Sequence, residues 1–138
     1  MIDSGESGGS SPAVAPSVLL VEDEPFVALI AEDLLRMIGF EPTLAASAAA
    51  ALNALQSGLK PHFAMVDMGL PDASGDDLVR RLRHLSPGLP VLIVSGYDEG
   101  ELRARFAGDR AVGILTKPYS EADLRRATLA LGVVGLAA

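Results

Sequence analysis

Five short apolar runs recur along the chain, and each gives way to a stretch with the spacing of a helix. The runs are "SVLLVE", "EPTLAA", "HFAMVD", "PVLIVSG" and "AVGILT", the second being the weakest. A strand with one wet face alternates apolar and polar residues, whereas a strand covered on both faces is apolar throughout. These runs are of the second kind. Strands joined through helices run parallel, because each crossover returns the chain to the same end of the sheet. The alternation predicts an α/β fold: a doubly wound five-stranded parallel sheet with helices on both faces. No internal repeat or second domain interrupts it.

The helical stretches carry their own punctuation. Pro25 suits the first position of the first helix and Gly39 the position past its end. Val27, Ile30, Leu34 and Ile38 recur there at helical spacing. Residues 47–58 read as an alanine-rich helix with Ser47 as cap and Gly58 as stop. Residues 74–85 open on Ser74, with Asp77 three residues on, and present Leu78, Leu82 and Leu85. Asp98 with Glu101 opens a short fourth helix held only by Leu102 and Phe106. Ser120 with Asp123 opens the last, which carries Leu124 and Leu131. Residues 1–17 are rich in Ser, Gly and Pro and read as a flexible lead. One domain is expected over 18–132, with 133–138 as a short tail and no output domain.

Composition narrows the function classes. The hydrophobic fraction is 49% but aromatics are 4%, so the core is aliphatic. A net charge of −7 argues against nucleic acid as partner, since that binding is driven by clustered Lys and Arg. The absence of cysteine removes disulfides, thiol catalysis and thiolate metal sites. No signal peptide and no run long enough to span a membrane is present, so a soluble, cytoplasmic chain without a membrane partner is expected.

In a doubly wound sheet, function collects at the carboxyl ends of the strands, where the strand order reverses. Strand one ends in Glu22, Asp23 and Glu24, and strand three in Asp67. Strand four ends in Ser95 and Gly96, and strand five in Thr116, Lys117 and Pro118. Each has an ordinary reading: Asp23 or Glu24 as cap of the helix at Pro25, Ser95 as a satisfied hydroxyl, Lys117–Pro118 as a solvated turn. Independent caps need not fall on one edge, however, and these residues do. Crowded carboxylates repel unless a cation sits among them. The cluster therefore predicts a hard divalent cation with oxygen ligands, Mg2+ foremost and Mn2+ as its substitute. Zinc is disfavoured, because the only histidines, His62 and His84, lie elsewhere in the pattern.

These residues give the chain a family resemblance. From about Val18 to Leu131 it resembles the CheY-like receiver domain of two-component response regulators. The matching residues are Glu22-Asp23, Asp67 in "VDMGLPDASG" with Pro71 and Gly75 beyond it, Ser95-Gly96, and Lys117-Pro118. The resemblance implies strand order 2-1-3-4-5 and Asp67 as phosphoryl acceptor. It implies Mg2+ on Glu22, Asp23, Asp67 and the backbone carbonyl of Gly69, which as a glycine would let the chain turn tightly towards the metal. Lys117 and Ser95 would contact the phosphoryl oxygens, with Gly96 beside them, and the Lys117–Pro118 bond would be cis. The donor would be a histidine kinase or histidine phosphotransfer protein. The downstream protein would bind around the fourth helix, fifth strand and fifth helix. The protein would support its own phosphotransfer and autodephosphorylation rather than act on a separate substrate.

One residue departs from the family pattern. Ile114 stands where an aromatic usually fills the space behind the inward-moving hydroxyl. Tyr97 is then the candidate gating aromatic, and Tyr119 is expected to pack on the last helix. His84, in "RRLRHLSPG", reads as a solvated helix end rather than a phosphohistidine. The alternative function is a receiver-fold scaffold that is never phosphorylated, against which the intact Asp67, Asp23 and Lys117 weigh. An aspartyl-phosphate hydrolase would need an acid two residues after the nucleophile, where Gly69 stands. A flavin module would need a hydroxyl-rich phosphate loop where "EDEP" lies.

Overall fold

The computed structural model describes residues 14–96 and 99–136. The lead up to residue 13, Tyr97 and the Asp98 cap lie outside the described residues. Five strands, β1 (Ser17–Val21), β2 (Glu41–Ala45), β3 (Phe63–Asp67), β4 (Val91–Ser95) and β5 (Val112–Thr116), alternate with five helices. These are α1 (Pro25–Met37), α2 (Ala48–Gln56), α3 (Gly75–Leu85), α4 (Glu99–Arg105) and α5 (Glu121–Ala130). All strand pairs are parallel and the order is β2-β1-β3-β4-β5. The chain leaves β1 in one direction to make β2 and in the other to make β3, so the order reverses between β1 and β3. β2, the weakest run, is an edge strand, which is where Pro42 can be accommodated without losing a central ladder bond.

The period of two along each strand sorts the core into two layers. Leu19, Val21, Ala64, Val66, Val91 and Ile93 point to the face covered by α2, α3 and α4, through Ala48, Ala51, Leu78, Leu82 and Leu102. Val18, Leu20, Phe63, Met65, Leu92 and Val94 point to the face covered by α1 and α5, through Ala31, Leu35 and Leu124. The central strands are thus buried on both sides. Ser47, Ser74 and Ser120 each accept the amide of the residue three positions on, and Ser120 with Asp123 forms a complete capping box.

Two helical stripes differ from the sequence expectation. On α1 the buried residues are Ala28, Ala31 and Leu35, followed by Ile38, while Val27 and Ile30 are exposed. Apolar residues run nearly all round this helix, so their spacing selects no unique face. The alanines take the inner position because they let the helix lie close to the sheet. On α3, Val79 is buried with Leu78 and Leu82, whereas Leu85 at the helix end is partly exposed.

The residues after α5 do not trail away. Val133 is buried, and the Leu136 amide donates to the Gly39 carbonyl at 2.8 Å. Gly39 has φ +97°, and a Cβ there would lie 2.1 Å from the Leu136 carbonyl oxygen. A Cβ at Gly135 would lie 2.1 Å from the Ile38 carbonyl oxygen. Two glycines therefore permit a backbone clasp between the chain after α5 and the turn after α1. Gly135→Val should open it, lowering stability by roughly 2 kcal/mol and Tm by about 6–7 °C in a thermal melt.

Several carboxylates tune stability with pH. The Arg83 guanidinium makes two bonds to Asp109, at 2.5 and 3.1 Å, and donates through Nε to the Leu89 carbonyl. Those bonds, helped by the Ala111 amide, hold the Asp109 carboxyl below its ordinary 3.8. Backbone amides do the same for Asp123 and Asp72. A depressed carboxyl contributes stability that is complete above the unfolded value and disappears as pH falls through the folded one. The melting temperature of the metal-free protein should therefore drop below about pH 4. Asp109→Asn should flatten part of that drop while costing roughly 1 kcal/mol at neutral pH, allowing for partial exposure.

Candidate functional site

The reversal between β1 and β3 opens a crevice at their carboxyl ends, and the sheet register lines up the residues there. Ladder bonds extend past the strands: the Glu22 amide donates to Ala45 O at 3.0 Å and the Met68 amide to Val94 O at 3.0 Å. The Lys117 amide donates to Ser95 O at 2.9 Å. These bonds tie the end of β1 to β2 and the ends of β3, β4 and β5 to one another, and the side chains following β1, β3, β4 and β5 share a rim.

Glu22, Asp23 and Asp67 each offer a carboxylate oxygen, and these oxygens all lie within 4.8 Å of one another. Lys117 Nζ donates to Asp67 Oδ1 at 3.0 Å. Asp67, Met68, Gly69, Ser95, Gly96 and Lys117 line a cavity of about 330 Å³. Glu22 is 5% exposed, and burial above all pushes its carboxyl up to about 7. The charge of Asp67 adds to that rise, while the Glu24 amide and Lys117 oppose it. One lysine does not balance three carboxylates, and the donor atoms are all hard oxygens. The pocket fits a divalent cation such as Mg2+ in both charge and ligand type.

The ordinary readings of the first acidic run are not what the structure contains. Glu24 occupies the cap position of α1, yet its side chain makes no capping bond. Instead its amide donates to Glu22 Oε2 at 3.1 Å, which turns that carboxylate back over the pocket. Gly69 lies in the turn that follows β3, without a left-handed conformation. A Cβ there would make ordinary contact with Asp67 Oδ2 at 3.6 Å, so this glycine sits directly beside the carboxylate.

The other singled-out residues are placed as follows. The Lys117–Pro118 peptide bond is cis. Ser95 is buried at the end of β4. Ile114 is partly buried against the layer containing Leu102 and Phe106. His84 is exposed on the last turn of α3, away from the crevice. Tyr119 packs on the α1/α5 layer but also walls a small cleft with Glu22, Asp67 and Lys117. Burial, then the charges of Glu22 and Asp67, push its hydroxyl up to about 12. Sequence reasoning tied Tyr119 to the last helix and missed its place beside the acids. It also missed Asp72, whose carboxylate accepts the amides of Ala48 and Ala49 at 3.0 and 3.1 Å. The signal for Asp72 was faint: one acid in a turn, acting on a helix 23 and 24 residues away.

Comparison with known proteins agrees with this geometry. The response regulator receiver domain model matches residues 18–129. The "Probable transcriptional regulatory protein TcrX" of Mycobacterium tuberculosis is 39% identical over 75% of this chain. The match spans 44% of that protein's length. A response regulator receiver protein from Sinorhizobium medicae superposes with a TM-score of 0.75 at 28% identity, covering 86% of this chain and 95% of that one. The receiver domain of a Pseudomonas aeruginosa sensor histidine kinase superposes with a TM-score of 0.72 at 24% identity, covering 86% and 99%. That domain was solved with a magnesium ion coordinated in its active site cleft. Among the described residues no helix is long and apolar enough to cross a membrane. With its strand order, acidic crevice and family match all in accord, the chain belongs to the response regulator receiver domains of two-component signalling.

Proposed function

We propose that Asp67 accepts a phosphoryl group from a phosphohistidine on a histidine kinase or a histidine phosphotransfer protein. The observation that carries this reading is the position of Asp67: at the floor of an open cavity, bonded to Lys117 and backed by Glu22 and Asp23. A carboxylate attacks an anionic phosphoryl group poorly unless charge is neutralised and the approach is aligned. Glu22, Asp23, Asp67 and the Gly69 carbonyl are the groups that would hold Mg2+. When bound there, the ion supplies charge neutralisation and orientation to the phosphoryl group. Magnesium in the cleft of the Pseudomonas receiver supports that assignment.

The chain's own residues do the rest. An Asp67 oxygen forms a bond to phosphorus as the phosphorus–nitrogen bond breaks, and the electron pair returns to the imidazole. Lys117 stays against the transferred oxygens as a compact positive charge. Ser95 donates its hydroxyl to the same group, and Ile114 repacks behind it in place of an aromatic. Water attack on phosphorus later restores the Asp67 carboxylate and releases phosphate. The state of the pocket is read on α4, β5 and α5 by a downstream protein.

A protein donor is supported by the surface beside the pocket. α1 begins at Pro25, immediately after the acidic run, and exposes Phe26, Leu29 and Ile30. Contiguous exposed apolar residues next to a polar crevice mark a protein-docking face. A cytoplasmic location for this chain would accord with such a donor. The unphosphorylated scaffold is the second reading, and nothing in the pocket favours it.

Incubation with Mg2+ and acetyl phosphate should add one phosphoryl group by intact-mass spectrometry. Asp67→Ala should abolish the adduct, and chelation of the metal should do the same. An unmodified wild type in the presence of Mg2+ would sink the reading in favour of the scaffold. Lys117→Ala should slow adduct formation roughly 10²-fold, as expected for loss of one aligned charge at a phosphoryl site.

A further inference from the structure

The geometry points to Asp72 as a positioning residue for the phosphorylation site. It clamps the loop that carries Gly69 to the amino end of α2. This inference rests on the proposal that Asp67 and the Gly69 carbonyl belong to one Mg2+-dependent phosphoacceptor site.

The loop after β3 runs over residues 68–74 and has other anchors. Met68 donates its amide to Val94 O and packs its side chain against Gly75, where a Cβ would meet the sulfur at 1.9 Å. Leu70 is buried in the layer beneath α2 and α3. Ser74 caps α3 by accepting the Asp77 amide. Between Leu70 and Ser74 the chain is exposed at Pro71 and Asp72 and packs Ala73 partly buried on the same layer; among the described residues its polar tie to another element is the Asp72 carboxylate.

That tie is made with both oxygens. Oδ1 accepts from Ala48 and Oδ2 from Ala49, while Ser47 accepts the next amide, that of Ala50. Three successive orphan amides of α2 are thus satisfied by two side chains, one local and one from the phosphorylation loop. The amides of Ala48 and Ala49 hold the Asp72 carboxyl below its ordinary value. A bidentate tie also fixes orientation as well as distance.

The connection does not end at α2. α2 follows β2, whose Ala45 carbonyl accepts the Glu22 amide. Glu22 therefore stands at one end of a short chain of contacts and Gly69 at the other, with Ala45, α2 and Asp72 between. Two of the proposed metal-binding groups, after β1 and after β3, are braced against each other behind the pocket. Removal of the tie should leave the acids in place but let the loop that carries the Gly69 carbonyl wander.

A pair of variants separates this role from simple helix capping. Ser47→Ala and Asp72→Ala each remove capping bonds from α2, but only the second releases the loop. Mg2+ is titrated into each folded full-length variant by calorimetry, and amide exchange of residues 68–74 is followed in metal-free buffer. Asp72→Ala should weaken Mg2+ binding about 5- to 10-fold and speed exchange in the loop. Ser47→Ala should lower Tm with little change in either readout. Asp72→Asn, which keeps one acceptor oxygen, should fall between Asp72→Ala and wild type. Equal Mg2+ affinity in wild type and Asp72→Ala overturns the inference and leaves the phosphoacceptor reading intact, as does an equal loss in Ser47→Ala. A wild type that takes up no Mg2+ removes both.

Discussion

The controlling constraint in this molecule is the repulsion among Glu22, Asp23 and Asp67 at the place where the sheet order reverses. Like charges a few ångströms apart in a partly desolvated crevice stay ionised together only beside compensating positive charge. The fold supplies one such charge, Lys117, from the far strand β5. Burial first, and the charge of Asp67 after it, raise the Glu22 carboxyl despite the opposing Lys117. A pocket arranged in this way has more acidic than basic groups, a donor set suited to a hard divalent cation.

Keeping such a pocket open requires a rigid frame, and the sheet is that frame. The β1–β3 pairing and the ladder bonds past the strand ends leave Glu22, Met68 and Lys117 little freedom to move. Two apolar layers press on the sheet from opposite sides, so the strands cannot relax towards either face. The bidentate Arg83–Asp109 pair does comparable work at the other end of α3 and the turn before β5. Polar ties and aliphatic packing therefore serve one end: acids that would prefer to part are held together.

Much of this was legible in the residues. Both-face burial wrote β3 and β4 as unbroken apolar runs, and short polar side chains marked the starts of α2, α3 and α5. Convergence of Glu22, Asp23, Asp67, Ser95 and Lys117 followed once the strands were taken as parallel. What escaped was long-range or degenerate. The inner face of α1 could not be chosen because Phe26, Leu29, Ile30 and Met37 rival Ala28 and Ala31 in apolar content. The bonds of Asp72 reach a helix more than twenty residues earlier, and no local pattern encodes them. The clasp after α5 depends on two backbones meeting at Gly39 and Gly135, a coincidence of position that periodicity does not record.

The choice of alanine on the inner face of α1 reaches further than packing. Ala28 and Ala31 are almost wholly enclosed, and they lie one and two turns below the bend where Glu22, Asp23 and Glu24 leave β1. A methyl group is the thinnest spacer a side chain can offer between a helix and a sheet. The depth at which this helix seats thus acts as a gauge for the mouth of the crevice. Bulkier spacers would lift the bend and spread the carboxylates, so two of the plainest residues in the chain bear on how closely its acids can stand.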